Sequence, residues 1–349
     1  MRFRIIIAVI VILVIGLAFF CYNPFGLDYM NSNEHIVFCS KNWKYTMAVV
    51  SDRGNVYLNS GRLEEDQNFG VDNVQKFNHH NSKKYVKIFD KENAQVVSLT
   101  NFGGTIITNQ KDVYIFQNGN SQYRTPTYIL TGYSQAMLWD NDTLYLLSDS
   151  GDFGYIHIDK PDDFRIIKSN VKKFVIAEKA KETMAFVLSN NERLYFLKQA
   201  ELMDNNENYI DGIVDFDILV PHSQLLIFSC LNTHSEASFL MGDYDLSFDD
   251  LNNSHYHFTK TGDNMVSVVS YGRGIAMLDN SHRVYLYGND LDGSDDGWSF
   301  SSDLDFKGDQ IAENVDSVFG GYLNLDIIKQ DGEFIYYGLT ADQTYNAIN

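Results

Sequence analysis

One block recurs along this chain, and it limits the possible folds more than any other feature. It begins with an apolar strand and a pair of turn residues. After one free position come an apolar residue, an aromatic one and a short apolar stretch. The copies read AVVSDRGNVYLNSG from Ala48, TIITNQKDVYIFQNG from Thr105, AMLWDNDTLYLLSDSG from Ala136, AFVLSNNERLYFLKQ from Ala185, AMLDNSHRVYLYGND from Ala276 and DIIKQDGEFIYYG from Asp326. Their turn pairs are Arg53-Gly54, Gln110-Lys111, Asn141-Asp142, Asn191-Glu192, Ser281-His282 and Asp331-Gly332, mostly hairpin-forming residues. The pairs that follow are Val56-Tyr57, Val113-Tyr114, Leu144-Tyr145, Leu194-Tyr195, Val284-Tyr285 and Phe334-Ile335. A degenerate seventh copy, LLIFSCLNTHSEASFLMG from Leu225, puts Phe239 in the aromatic column.

The aromatic positions 57, 114, 145, 195, 239, 285 and 335 are separated by 57, 31, 50, 44, 46 and 50 residues. A four-stranded propeller blade repeats every 40–50 residues or so, and the short gap predicts a trimmed third blade. Small residues stand eight positions before the apolar member in several copies, as Ala48, Ala136 and Ala276. That pattern predicts crowding near the axis of a closed ring of sheets. VKIF from Val86, VKKFVI from Val171, IVDFDIL from Ile213, MVSVVS from Met265 and VDSVF from Val315 are expected to be innermost strands or their approaches. With 22 Tyr and 24 Phe against 4 Pro, and no amphipathic helix after residue 30, the expectation is all-β: a seven-bladed β-propeller. Closure is expected through pairing of a strand near Ile36–Cys39 with the last blade around Phe334–Tyr337.

The chain begins MRFRIIIAVIVILVIGLAFFCYNPFGLD. Arg2 and Arg4 precede an apolar run over 5–22, and no charge follows until Asp28. About 17–25 apolar residues suffice to cross a bilayer. A cleaved signal peptide needs small residues before the cut, whereas this run ends in Ala18-Phe19-Phe20-Cys21; Phe20 also spoils Cys21 as a lipoprotein cysteine. The expected organisation is a cytoplasmic stub at 1–4, a retained transmembrane signal anchor at 5–22, a tether at 23–34, and an extracytoplasmic propeller at 35–345. Cys21, Cys39 and Cys230 make no disulfide framework. A Cys39–Cys230 bridge is the one intramolecular pairing considered, and buried free thiols are the expected state.

The sixth copy with its lead-in, VSVVSYGRGIAMLDNSHRVYLYGNDLDGSDDG, resembles the repeat of the regulator of chromosome condensation family. The matching positions are Gly272, Ala276, Val284, Tyr285, Tyr287, Gly288, Gly293 and Gly297. GGYLNLDIIKQDGEFIYYG from Gly320 fits too, and Gly151 and Gly154 match loop glycines of the third copy. The resemblance covers roughly 35–340 and implies a seven-bladed propeller. Tyr287 and Tyr337 stand where that repeat usually has Trp, and many loop glycines are missing. The family's nucleotide-exchange activity does not carry over to an acidic, exported chain.

No nucleotide-binding, zinc-protease or serine-hydrolase motif is present. Ser169 and Lys172 make an isolated S-x-x-K, better read as chance. His79-His80, and His255 with His257, lack the further ligands a metal needs. The loop NDLDGSDDG from Asn289 lacks the order of a calcium-binding loop and fits a connecting loop better. N-x-[ST] triplets at Asn141 and Asn252 carry no information. No catalytic residue, cofactor or metal is therefore expected. With 46 Asp+Glu against 27 Lys+Arg, the net charge of −19 argues against nucleic acid as a partner and favours a protein with a basic surface. The expected function is a non-enzymatic, membrane-anchored protein-binding platform. The alternative is a carbohydrate- or cell-wall-acting hydrolase or lyase with a site at the propeller axis, in which Trp43, Trp139 and Trp298 would stack on sugars.

Overall fold

The computed structural model describes residues 30–31, 33–41, 46–60, 85–90, 93–100, 102–117, 123, 125–179, 182–198, 209–222, 225–243, 259–272, 274–288, 306–321 and 324–338. The stub, the anchor run and most of the tether lie outside them. Among the described residues no helix is long and apolar enough to cross a membrane.

Seven antiparallel sheets follow one another along the chain. Blade 1 holds β1 (Ile36–Lys41), β2 (Thr46–Ser51), β3 (Val56–Ser60) and β4 (Val86–Phe89); blade 2 holds β5 (Ala94–Leu99), β6 (Gly103–Thr108), β7 (Asp112–Gln117) and β8 (Thr127–Thr131). Blade 3 holds β9 (Tyr133–Leu138), β10 (Thr143–Ser148), β11 (Phe153–His157) and β12 (Lys160–Lys168); blade 4 holds β13 (Val171–Lys179), β14 (Glu182–Ser189), β15 (Arg193–Lys198) and β16 (Tyr209–Asp211). Blade 5 holds β17 (Ile213–His222), β18 (Leu225–Asn232), β19 (Ala237–Asp243) and β20 (Thr259–Gly262); blade 6 holds β21 (Met265–Tyr271), β22 (Gly274–Asp279), β23 (Val284–Gly288) and β24 (Phe306–Ala312). Blade 7 holds β25 (Val315–Gly320), β26 (Asn324–Lys329) and β27 (Phe334–Gly338), three strands among the described residues. The first strand of each blade contacts the first strands of both neighbours, and β25 returns to β1, so the first strands form the inner ring. VKKFVI, IVDFDIL, MVSVVS and VDSVF lie on such strands as expected. VKIF does not, because β4 is the outermost strand of its blade.

The repeat is written most plainly in the hairpin between second and third strands. One residue per hairpin is left-handed: Gly54, Lys111, Gly151, Glu192, Ser235, His282 and Gly332. Three positions earlier stand Ser51, Thr108, Ser148, Ser189, Asn232, Asp279 and Lys329. In the first six, the side-chain oxygen accepts the backbone N–H four residues ahead, at 2.8 to 3.4 Å. A short acceptor that folds back on its own backbone selects this turn, and the left-handed residue closes it as a bulge.

This geometry corrects the register read from sequence. Tyr57, Tyr114, Tyr195 and Tyr285 each lie three residues after the left-handed position, on the third strand, facing the core shared with the preceding blade. Tyr145 does not: it lies on β10, the second strand, facing blade 4. The equivalent residue of blade 3 is Gly154, opposite Leu146 as Tyr57 is opposite Val49. In blade 5 it is Ser238, opposite Cys230, and Phe239 is one residue out. The corrected positions 57, 114, 154, 195, 238, 285 and 335 are spaced 57, 40, 41, 43, 47 and 50 residues apart. The 31-residue gap vanishes, and blade 3 has four strands. The β9–β10 hairpin had imitated the repeat, because Leu138 opposite Leu144 and Met137 opposite Tyr145 reproduce its pairing pattern.

Every first strand also carries a bulge near its start, at Val37, Gln95, Ser134, Lys172, Val214, Val266 and Asp316. A bulge bends and twists the strand locally, and the extra residue turns outward. Val37 and Val266 are accordingly 48% and 52% exposed.

Among the described residues the expected strand exchange at closure is not present: β1 pairs with β2, and β27 pairs with β26. Blade 7 instead meets blade 1 through side chains. Ile36, Cys39, Met47, Val49 and Tyr57 pack with Ile328, while Phe38 meets Phe319 edge-on at 5.1 Å. Cys39 Sγ donates to Asp326 Oδ2 at 3.1 Å. Cys39 and Cys230 are both buried, in blades 1 and 5, and no Cys39–Cys230 disulfide forms. Burial pushes the Cys230 thiol up to about 12.

Candidate functional site

Burial alternates along each first strand and singles out two tiers of axial positions. One tier is Phe38, Val96, Gln135, Lys173, Asp215, Ser267 and Ser317; the other is Ser40, Ser98, Met137, Val175, Asp217, Val269 and Phe319. All are partly exposed, while the residues between the two tiers are buried. Charge enters these tiers only at Lys173, Asp215 and Asp217, on the adjacent blades 4 and 5.

Polar members of the tiers tie blade 1 to 2, 3 to 4, 4 to 5 and 5 to 6. Ser40 Oγ accepts from Leu99 N at 3.1 Å, and Gln135 Oε1 from Phe174 N at 3.0 Å. Lys173 Nζ donates to Asp215 Oδ1 at 2.6 Å and to the Phe216 carbonyl at 2.7 Å. Asp217 Oδ2 accepts from Ser270 N at 2.8 Å. The Ser229 and Ser270 hydroxyls lie 3.0 Å apart, and both donate to the Asp217 carbonyl oxygen. Burial pushes the Asp217 carboxyl up to about 6, against the pull of Lys173 and of the Ser270 and Ile218 amides. Asp217 thus keeps a sliver of solvent contact yet sits deep among protein atoms. This cluster is what the axis offers chemically: a carboxyl inclined to hold a proton, two residues from a carboxylate paired with lysine.

A second buried carboxylate anchors the chain's entry into blade 1. Burial opposes ionisation of Glu34, but hydrogen bonds from Tyr57, Ser51, Asn55 and Asn31 outweigh it and hold the carboxyl down at about 2. The Tyr57 hydroxyl is nearest, donating to Glu34 Oε2 at 2.7 Å.

No family model matches this chain. No curated protein matches it either. Solved structures do. Prp20p from Saccharomyces cerevisiae, whose binding to Gsp1p and histones is described, superposes with a TM-score of 0.54 at 12% identity over 82% of this chain and 80% of its own. The β-propeller domain of Cps50 (Swd1) from Myceliophteria thermophila gives 0.55 at 12% identity over 90% of this chain and 99% of its own. PorZ, a surface component of the type-IX secretion system of Porphyromonas gingivalis, gives 0.51 at 10% identity; the match spans 92% of this chain but 39% of PorZ. At these identities the likeness is one of fold.

The sequence candidates scatter. Ser169 Oγ donates to Asp152, while Lys172 Nζ donates to the Val214 carbonyl, so each is engaged separately. Trp139 is partly buried, edge-on to Tyr145 at 6.3 Å. Asn141 lends its carbonyl to Gln117 Nε2 at 2.7 Å. His79, His80, His255, His257, Asn252, Trp43, Trp298 and the loop from Asn289 lie outside the described residues. Among the described residues no group of three or more His, Cys, Asp and Glu could hold a metal ion. Lys173, Asp215 and Asp217 were missed by motif reading. The signal was present in VKKF and VDFD, where charges occupy positions that are Ser, Val, Met or Phe in most other first strands.

The two faces of the ring differ in their connections. Hairpins between second and third strands are short and all emerge on one face. Connections between third and fourth strands all begin and end at the other. Three of these, 199–208, 244–258 and 289–305, belong to the consecutive blades 4, 5 and 6. Together they hold 12 Asp and Glu and no Lys or Arg.

Proposed function

We propose that this chain is a non-enzymatic protein-binding propeller with repeats of the RCC type, held on the extracytoplasmic side of a membrane by its N-terminal anchor. The observation that carries the binding reading is one-sided acidity: in three neighbouring blades the third and fourth strands meet at one face, and the segments joining them hold 12 Asp and Glu and no Lys or Arg. Loops on a rigid scaffold are the usual place for recognition, and a negative face selects a partner with a basic surface over nucleic acid. The comparison with Prp20p adds that a propeller of this shape is used for binding proteins. Replacing Asp292, Asp295 and Asp296 with Ala tests it against a partner captured from membrane and wall extracts. Folding is expected to be unchanged, and the captured interaction weaker and less sensitive to salt. Unchanged binding with unchanged salt dependence would refute the acidic face. For the anchor, fractionation with mass spectrometry of the N-terminus decides: a mature chain starting near residue 22 overturns it.

The axial cluster favours a second reading, a hydrolase acting on carbohydrate or cell-wall polymer. Asp215 and Asp217 are two apart on one strand, which separates them by about 6.6 Å along it. Glycosidase carboxylates lie about 5–9.5 Å apart, one protonated and one ionised. Turnover of a wall glycan, lost in both Asp215→Asn and Asp217→Asn, would establish this reading in place of the first.

A further inference from the structure

The joints between blades are made of apolar faces, and those of blades 1–2, 3–4, 4–5 and 5–6 add side-chain ties at the axis. In the ties made by Ser40 and Gln135 the acceptor is a neutral oxygen. At the joint of blades 5 and 6 it is the carboxyl of Asp217, on β17, gripping the Ser270 amide of β21. The groups packed around it do little to neutralise a charge. From β18 comes the hydroxyl of Ser229, and from β21 come the hydroxyl and amide of Ser270. On its own strand Asp215 adds a second negative charge. Two cations come from β13. Lys172 is exposed and committed to the Val214 carbonyl, and Lys173 is committed to Asp215 and the Phe216 carbonyl. A carboxylate in the Asp217 position is therefore a largely uncompensated charge inside a joint. Water would relieve that cost by entering the joint. Its partial exposure to the axis gives protons from solvent a route to it.

We propose that the joint between blades 5 and 6 is a proton-tuned latch, looser when Asp217 is a carboxylate and tighter when that carboxyl is protonated. A protonated carboxyl retains a carbonyl oxygen for the Ser270 amide while shedding the charge that favours hydration. The sign follows from the direction of its shift, from an ordinary 3.8 up to about 6. Such a group contributes closed-joint stability that is complete below about 4 and is lost as pH rises through about 6. The inference stands whether the molecule binds a protein or acts on a glycan.

Hydrogen exchange on the full chain, corrected for the intrinsic pH dependence of exchange, tests it. Peptides from β17 and β21 should be about tenfold to a hundredfold better protected at pH 4.5 than at pH 7.5, with the joint of blades 1 and 2 as the internal control. In Asp217→Asn the protection of these peptides should no longer vary over that range. Lys173→Gln removes the main attraction on the carboxylate, so the transition should move to higher pH. An identical pH response in wild type and Asp217→Asn, or a response shared equally by the control joint, overturns the proposal. Should Asp217→Asn fail to fold, an unmoved transition in Lys173→Gln overturns it as well.

Discussion

Glu192 shows how strongly the turn geometry is imposed at the scale of one residue. It adopts φ 61°, where an L side chain costs about 1–2 kcal/mol, in a hairpin position that Gly54, Gly151 and Gly332 fill without strain. Glu192→Gly is therefore expected to raise stability by up to about 1 kcal/mol, part of the gain being offset by the freer unfolded chain. Urea unfolding with unchanged slope and a higher midpoint checks it. Gly54→Ala should do the reverse, because a Cβ there meets Asn93 Cα at 2.6 Å. Glu34 makes the residue-level case for electrostatics. Its carboxyl is held at about 2 against an ordinary 4.5, so its contribution is present above pH 4.5 and lost as pH falls towards 2. Glu34→Gln should cost about 1 kcal/mol at pH 7 and flatten the stability profile over that acid range, as thermal melts across pH would read.

Strands show what a repeat can hide at the scale of the element. Gly154 fills the column that Tyr fills in four blades, because its Cα lies against the Arg165 carbonyl of β12 with no room for a side chain; a Cβ would lie 2.1 Å from that oxygen. The clash is with backbone, so Gly154→Ala is expected to destabilise by more than about 2 kcal/mol, measured as a lowered urea midpoint. First-strand bulges make the opposite prediction for two valines two positions apart. Val266→Ser at the exposed bulge should change stability by less than about 0.5 kcal/mol, whereas Val268→Ala, 1% exposed, should cost about 1–3 kcal/mol. Composition does not separate these two valines, since a bulge shifts the two-residue alternation and leaves no mark in it.

For the whole molecule the question is how a ring of seven sheets closes. Among the described residues it does so by packing one face against another, without β27 accepting a strand from blade 1. Ile328 is the residue that blade 7 inserts among Ile36, Cys39, Met47, Val49 and Tyr57. Ile328→Ala is expected to cost about 2–5 kcal/mol, read by denaturant unfolding. Beside it Asp326 is fully buried, in the second-strand column where the other blades carry Ala48, Thr105, Tyr145, Phe186, Ser229 and Ala276. The closing joint thus carries a carboxyl group in a column that is uncharged in every other blade.

The hairpin signal by itself determined that this chain makes sheets, that there are seven, and roughly where each begins. Those are local matters: a Ser, Thr, Asn or Asp acceptor, a left-handed residue and an apolar pair lie within a handful of positions, and their hydrogen bonds close between near neighbours in the chain. Charge composition likewise is where the proposed preference for a basic partner originates. Tertiary structure alone decided the register of blade 3, because two overlapping hairpins, β9–β10 and β10–β11, satisfy the same local pattern and only packing against blade 4 separates them. It alone also brought Lys173, Asp215, Asp217 and Ser270 together across three blades. Residues up to 97 positions apart meet there because ring closure places first strands side by side at the axis, and no linear spacing encodes that meeting.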